Sequence, residues 1–176
     1  MEKPKEITLE QLLGSRDARY ARQLDWVRDN PALTLVCLTV IPPGSEKRTD
    51  WSVRVAQAGA CAVRASLSPV WEEARDLDTG YEWYFLADGT PAAVKTACCS
   101  IEDTHPWGRL MDIDVLESAP SGAVPLSRAS VGRPPRRCLV CERPARECMR
   151  SRAHTLEQLQ ERIKYIYDSG GTLCQL

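Results

Sequence analysis

The stretch from Leu33 to Ile41 constrains the fold more than any other part of the chain. It reads LTLVCLTVI, a continuous run of apolar and β-branched residues without a charge. Such a run is typical of a strand that is covered on both faces, so we predict a buried strand here. With 176 residues, of which 43% are hydrophobic and 27% charged, the chain is long enough for one globular domain with a full core and too short for two.

The remaining elements follow from periodicity, capping residues and turn signals. Thr8 with Gln11, and Thr155 with Gln158, form capping boxes that mark helix starts. The predicted helices cover residues 8–28, 51–67 and 155–168. The predicted strands cover residues 33–41, 81–86, 93–100, 110–117 and 123–127, the second and third of which are expected to form a hairpin. This order predicts an α+β fold, a single domain over 1–176 with a mixed β-sheet and flanking helices.

The segment HPWGRLMDIDV, residues 105–115, places two acidic residues on a predicted strand. Asp112 and Asp114 are two positions apart, so their side chains point to the same face, about 6.5–7 Å apart. Asp is depleted in strands, and two carboxylates on one face repel each other unless a cation compensates them. The pair is therefore a candidate site for Mg²⁺, which accepts one or two carboxylates together with phosphate oxygens. The alternative is a solvated pair on an edge strand.

Basic residues stand where they could bind phosphate. Arg109 precedes the acidic pair by three positions and is a candidate phosphate clamp. In SRDARYARQ, residues 15–23, Arg16, Arg19 and Gln23 share one helix face, and Arg22 lies three positions after Arg19. These arginines can converge on one anion, or they can decorate a solvated helix face.

Charge is distributed unevenly along the chain, although the net charge is only −1. Residues 72–117 hold eleven acidic residues against three basic ones, whereas residues 128–152 hold eight arginines against two glutamates. Arg136 and Arg137 in the basic stretch are weaker candidates for phosphate contacts. A sequence pI near 6.2 disfavours bulk nucleic-acid binding. His105, one of only two histidines, either orients its loop or acts as a base.

The segment CLVCERPARECMRSRAH contains Cys138, Cys141, Cys148 and His154 with the spacing C-x2-C-x6-C-x5-H. Four such ligands within a short segment resemble a compact zinc knuckle. A Zn²⁺ site with four protein ligands would be structural, because no position is left open for chemistry. The alternative is a set of unliganded thiols. The other cysteines are predicted to be buried apolar residues, namely Cys37, Cys61, Cys98, Cys99 and Cys174.

The lengths of the apolar segments predict where the protein is located. The first residues, MEKPKEITLEQ, are charged and lack the apolar core of a signal peptide. The longest apolar stretch, residues 33–43, is too short to span a bilayer. We therefore expect a cytoplasmic protein that has no membrane partner.

Taken in order, SRDARYARQ, HPWGRLMDIDV and RRCLVC resemble the apo-citrate lyase phosphoribosyl-dephospho-CoA transferase family, also called holo-citrate lyase synthase. The resemblance spans nearly the whole chain apart from about residues 66–98. It implies an enzyme that transfers phosphoribosyl-dephospho-CoA from triphosphoribosyl-dephospho-CoA to a serine of the citrate lyase acyl carrier subunit, with release of pyrophosphate. This is nucleotidyltransferase-like chemistry, of the kind that a Mg²⁺-binding carboxylate pair indicates.

In this interpretation the candidate residues have specific roles, and those of the arginines are inferred from charge and motif position. Asp112 and Asp114 would bind the metal, and Arg109 with the arginines of the first helix would contact phosphate. Asp114 or His105 would accept the proton of the carrier's serine, and the basic stretch 128–152 would dock the carrier, which is expected to be acidic. The competing interpretation is a non-enzymatic, zinc-containing adaptor that binds an acidic partner through its arginines. A nucleic-acid binder is disfavoured by the scarcity of aromatic residues on the basic stretch.

Overall fold

A five-stranded sheet forms the centre of the computed structural model, which describes residues 5–120 and 122–171. Its strands are β1 (Thr34–Val40), β2 (Trp71–Leu77), β3 (Gly80–Ala87), β4 (Met111–Ala119) and β5 (Gly122–Pro125). They lie in the order β2-β3-β1-β4-β5, and every neighbouring pair is antiparallel. The α+β class is thus confirmed, and the sheet is antiparallel where we predicted a mixed one. The reason is that each helical connection steps over one strand, so the parallel strands that it joins never lie side by side.

The described residues form five α-helices. They are α1 (Leu9–Asp29), α2 (Asp50–Leu67), α3 (Pro91–Thr104), α4 (Ala145–Ser151) and α5 (Leu156–Gly171). Of these, α1 covers one face of this sheet and α2, α3 and α5 cover the other. The capping boxes predicted at Thr8 and Thr155 are both present, and they start α1 and α5. Within the described residues, no helix is both long enough and apolar enough to cross a membrane.

The predicted buried strand is β1, the middle strand of the sheet. Its residues Leu35 to Leu38 are at most 2% exposed. Val36 and Leu38 pack with residues of α2, α3 and α5 in the larger core. Leu35 and Cys37 face the opposite side, where residues of α1 cover a smaller cluster. Both faces of β1 are therefore buried, as the uninterrupted apolar run predicts.

The strand predicted over residues 93–100 is wrong, because this segment belongs to α3. The Thr90 side chain accepts a hydrogen bond from the Ala93 amide and caps the helix, and Pro91 occupies its first turn, where a missing N–H costs nothing. These two signals outweigh the β-branched residues that suggested a strand. The strand that forms a hairpin with residues 81–86 is β2, which the sequence analysis did not identify. The sequence analysis also did not identify α4.

The predictions for the isolated cysteines are confirmed in part. Cys37, Cys98 and Cys99 are buried among apolar neighbours, as predicted. Cys61 is exposed, so that prediction is wrong: α2 turns this position away from the sheet. Cys174 lies outside the described residues.

The turn between α3 and β4 leads the chain directly from the helix into the acidic strand. A Cβ atom at Gly108 would lie 2.5 Å from the Glu102 carbonyl oxygen and 2.6 Å from that of Ile101. Trp107, the residue before Gly108, packs against α5. Its ring stacks on Tyr167 with 5.0 Å between centroids, and its indole N–H donates a hydrogen bond to the Tyr167 carbonyl. Only glycine allows the backbone to pass so close to the end of α3.

Gly108→Ala is therefore expected to lower the free energy of unfolding by about 2 kcal/mol or more, because the methyl group would meet backbone rather than a movable side chain. Urea denaturation measures the change. Gly14→Ala in α1 is the matched control, since a Cβ there would meet nothing within 4 Å. That control should raise stability by about 0.5–1 kcal/mol. Equal effects at the two positions would contradict the close approach at Gly108.

Candidate active site

Asp112 and Asp114 lie on β4, on the face of the sheet that α1 covers. The pairing register places Asp112 beside Thr39 and Asp114 beside Cys37 of β1. On the other edge of β1, Thr39 lies beside Glu82 of β3 and Cys37 lies beside Tyr84. Two rows of side chains therefore cross the three strands, one from Asp112 to Glu82 and one from Asp114 to Tyr84. The α1 side of the sheet is thus polar at this end, whereas at the other end it carries the apolar cluster of Leu35, Leu86 and Leu116.

The first helix presents the predicted polar face to this end of the sheet. The Arg19 Nη1 atom lies 3.7 Å from Glu82 Oε1, and the Glu82 carboxylate also accepts a hydrogen bond of 2.6 Å from the Tyr84 hydroxyl. Gln23 is buried, and its side chain lowers the pKa of the Cys37 thiol, against the larger effect of burial. The positive charge of Arg19 is close enough to lower the pKa values of both Cys37 and Asp114. Arg19 and Gln23 therefore converge on the row that carries Asp114.

The two aspartates have different surroundings. Burial raises the pKa of Asp114 to about 6, and the negative charge of Asp112 adds to this rise, while Lys95 and Arg19 oppose it. The Asp112 side chain is 48% exposed, and its Oδ1 atom lies 3.2 Å from Arg136 Nη1. A partly buried carboxylate with a raised pKa beside a second carboxylate is a pair that a divalent cation would stabilise.

The other predicted arginines of α1 lie on either side of Arg19. Arg16 is exposed and lies near Lys47 in the loop between β1 and α2. Burial lowers the pKa of Lys47, and the positive charge of Arg16 lowers it further. Arg22 contacts the opposite edge of the sheet, with its Nη1 atom 3.5 Å from Glu73 Oε1 on β2. The structure therefore brings Arg16 and Arg19 to the polar end of the sheet and directs Arg22 toward β2.

The arginines predicted outside α1 mainly contact protein groups. Arg109 donates hydrogen bonds to the carbonyl oxygens of Cys138 (2.6 Å) and Arg137 (3.3 Å), so it ties the cysteine segment to the start of β4. Arg136 contacts Asp112 and the backbone carbonyls of residues 108, 109 and 111. Arg137 is exposed and forms an ion pair with Glu142.

His105 ends α3 and contacts its own loop. Its Nδ1 atom accepts a hydrogen bond of 3.0 Å from the Trp107 amide, and burial lowers the pKa of the ring. Such a contact is what the loop-orienting alternative of the sequence analysis predicts.

Two buried charged residues of α3 contact β4 between the aspartates, and the sequence analysis missed both. The Ile113 amide donates to Glu102 Oε1 (3.0 Å), and Lys95 Nζ donates to the Ile113 carbonyl (3.1 Å). Lys95 and Glu102 are seven positions apart, a spacing that puts them on one helix face. That pattern was hidden because the segment was read as a strand.

The four residues of the cysteine segment come together in a potential metal site. The ligand atoms of Cys138, Cys141, Cys148 and His154 all lie within 4.8 Å of one another. Three thiolates and one imidazole around a single ion require sulfur–sulfur separations of about 3.8 Å, as Zn–S bonds of about 2.3 Å in a tetrahedron imply. The His154 Nε2 atom is buried and lacks a hydrogen-bond partner of acceptable geometry within the described residues. The donor set and its spacing therefore fit one ion.

Local backbone structure holds this site together. The Cys138 amide donates to the Arg143 carbonyl (2.8 Å), which closes the turn around Cys141. Hydrogen bonds from the backbone and side chain of Arg143 lower the pKa of the Cys141 thiol to about 6, so a thiolate is favoured there. After α4, Arg152 adopts a left-handed conformation with φ 48°, and this turn brings His154 back toward the cysteines.

Fold and site together define a single-domain α+β protein in which two aspartates of one strand lie on the sheet face that Arg19 and Gln23 of the first helix cover. The model of the apo-citrate lyase phosphoribosyl-dephospho-CoA transferase family matches residues 7–170, and the chain belongs to this family. Relatives from Escherichia coli O1:K1 / APEC and from Shigella boydii serotype 18 are each 37% identical to it over 163 residues. These alignments cover 90% of this chain and 87% of each relative, and both relatives carry the name of the family.

Asp114→Asn is expected to raise the free energy of unfolding at pH 8 by about 1–3 kcal/mol in the absence of divalent cations. The folded pKa of about 6 lies above the ordinary value of 3.8, so the ionised carboxylate destabilises the folded state above pH 6. The advantage of the variant should shrink as the pH falls and vanish below about pH 4, where Asp114 is protonated in both states.

Urea denaturation between pH 4 and pH 8 measures this difference. Glu117→Gln is the control, because Glu117 is an exposed acidic residue of the same strand and its charge is not a cause of the raised pKa of Asp114. A stability difference between Asp114→Asn and the wild type that does not change with pH would contradict the proposed burial of an ionised Asp114.

Proposed function

We propose that this protein transfers a phosphoribosyl-dephospho-CoA group to apo-citrate lyase. The observation that carries the proposal is that a chain matching the family over residues 7–170 holds Asp112 and Asp114 on the sheet face that Arg19 covers. Membership of a transferase family does not favour the alternative of a non-enzymatic adaptor.

The donor in this proposal is triphosphoribosyl-dephospho-CoA, and the acceptor is a serine of the citrate lyase acyl carrier subunit. The serine oxygen attacks the phosphorus next to the ribose, a phosphodiester bond forms, and the bond to pyrophosphate breaks. The serine proton passes to a base on the enzyme. Because the nucleophile belongs to the partner, the site needs no nucleophile of its own. Cys37 is unsuited to that role, since burial raises the pKa of its thiol to about 12 and keeps it protonated.

Asp112 and Asp114 would hold Mg²⁺, and Arg16 and Arg19 would contact the phosphates. When bound, Mg²⁺ neutralises the charge that develops on the transferred and leaving phosphate groups. The fit rests on the donor set, two carboxylates on one strand face, which is the number that Mg²⁺ takes from a protein when phosphate oxygens complete its shell. We assign Arg109 and Arg136 to supporting β4 and the cysteine segment, because their guanidinium groups contact backbone carbonyls.

We assign the role of proton acceptor to Asp114. A general base must lie within reach of the proton that it accepts, and Asp114 lies on the sheet face where the substrate is proposed to bind. His105 is the alternative, but its Nδ1 atom accepts the Trp107 amide proton within its own loop.

We further propose that the ion at Cys138, Cys141, Cys148 and His154 is Zn²⁺ with a structural role. Its ligands come from the segment after Arg136, from α4 itself and from the turn before α5, so the ion would fix α4 relative to β4. The exposed face of α4 and the turn after it carry Arg146, Arg150 and Arg152, which form no ion pair within residues 5–120 and 122–171. This basic surface would dock the carrier subunit, and the reaction would take place in the cytoplasm.

The transfer itself is testable with the purified protein, Mg²⁺, triphosphoribosyl-dephospho-CoA and the apo-carrier, by following the mass of the carrier. Asp112→Asn and Asp114→Asn are each expected to lower the rate at least about 100-fold, because the loss of a metal ligand removes several kcal/mol of transition-state stabilisation. Glu117→Gln is the control, since Glu117 is an exposed acidic residue of β4 outside the polar rows. Wild-type rates in either aspartate variant at saturating Mg²⁺ would reject the assignment.

Metal analysis tests the cysteine site. Protein purified without chelator is expected to contain about one zinc per chain, and Cys138→Ser should lose the zinc and melt at a lower temperature. Cys61→Ser is the matched control, because Cys61 is an exposed cysteine outside the site. Metal-free protein with full activity and an unchanged melting temperature would exclude a structural zinc.

A further inference from the structure

The part of β4 that carries the two aspartates has a neighbouring strand on one side only. β5 pairs with residues 116–119, so residues 111–114 face α3 and the arginine-rich segment instead of a strand. An open strand edge leaves backbone amide and carbonyl groups without partners, and buried groups of this kind are costly. What closes this edge therefore determines how firmly Asp112 and Asp114 are held.

Charged side chains close the edge. Glu102 Oε1 accepts the Ile113 amide proton at 3.0 Å, and Lys95 Nζ donates to the Ile113 carbonyl at 3.1 Å. Arg136 donates to the carbonyl of Met111. The backbone groups of Ile113, the residue between the two aspartates, are thus both held by side chains from α3.

The two α3 residues are almost completely buried. Lys95 is 4% exposed and Glu102 is 5% exposed. Burying charges is unfavourable unless they are paired and hydrogen-bonded. Glu102 meets this requirement through Arg128, whose Nη1 atom lies 2.8 Å from Glu102 Oε2, whereas Lys95 has the Ile113 carbonyl. A merely solvated surface residue would not occupy such a position, so these two charges serve the strand that they touch.

We propose that Lys95 and Glu102 are positioning residues of the reaction, which hold Asp112 and Asp114 at the separation that a divalent cation requires. The proposal rests on the proposed function, because it assumes that these aspartates bind the metal. The two α3 side chains act through the backbone of Ile113, and they do not touch the substrate. Residues that orient metal ligands in this way typically change metal affinity 10–100-fold when they are replaced.

The signs of the charges make positioning distinguishable from simple electrostatics. Lys95→Met removes a positive charge near the aspartates, so electrostatics alone predicts tighter cation binding, whereas loss of positioning predicts weaker binding. Glu102→Gln removes a negative charge and the ion pair with Arg128 but keeps the Oε1 acceptor for the Ile113 amide. Electrostatics alone predicts that this variant binds a cation more weakly, whereas positioning predicts little change.

The experiment measures binding of Mn²⁺ alone to the full chain by electron paramagnetic resonance, in parallel with the rate of transfer at varied Mg²⁺. Lys95→Met and Glu102→Leu are expected to weaken Mn²⁺ binding about tenfold or more, and Glu102→Gln is expected to stay within about threefold of the wild type. Thr34→Val is the matched control, because it removes a buried hydrogen bond of 2.9 Å to the Gly89 carbonyl at the far end of β1. It should lose stability and keep wild-type Mn²⁺ binding.

The outcomes separate this inference from the function on which it rests. Wild-type protein that binds no Mn²⁺ would overturn the metal assignment, and with it the positioning role. If the wild type binds Mn²⁺ and Lys95→Met binds it equally tightly or more tightly, the positioning role alone is overturned. If Glu102→Leu does not fold, the other two variants still decide: weaker binding in Glu102→Gln together with tighter binding in Lys95→Met would show that charge, and not the backbone contact, is responsible.

Discussion

The burial of both faces of β1 is the constraint on which the rest of the structure depends. A strand without a charge must be covered by α1 on one side and by α2, α3 and α5 on the other, and it must have a strand on each edge. The sheet is therefore built outward from β1, and β4 lies next to it. β4 pairs with β1 on one edge, and its aspartates share the face that α1 covers. The part of its other edge that β5 does not reach is left to α3.

The sequence predicted those features that are set by neighbouring residues in the chain. The apolar run gave the buried strand, the capping boxes gave the starts of α1 and α5, and the alternation of strand side chains put Asp112 and Asp114 on one face. The cysteine spacing likewise predicted a cluster that the fold brings within 4.8 Å. Each of these depends on a spacing of at most 17 residues, which local geometry largely determines.

Features that depend on distant contacts were missed. β2 reads WEEARDL, and its charges obscured a strand because their partners, such as Arg48 for Asp76 and Arg64 for Glu72, lie on or next to α2. The sequence does not distinguish Glu82 from other acidic residues, because its contact with Arg19 depends on β3 lying beside β1. The contacts of Lys95 and Glu102 with Ile113 depend on the edge of β4 that has no neighbouring strand. No local pattern contains that information, since it arises from strand order.

The strand order also has a consequence for how the chain is made. β1 emerges early during synthesis, yet its partners are β3 and β4, and its pairing with β4 extends to Leu116. Until those residues have left the ribosome, an apolar segment with high β-propensity has no native partner on that edge, which is the condition that favours aggregation. Pairings this distant in sequence are also slow to form. Folding of this protein is therefore expected to finish only after most of the chain has been synthesised, and chaperones that bind extended apolar segments would find their target in β1.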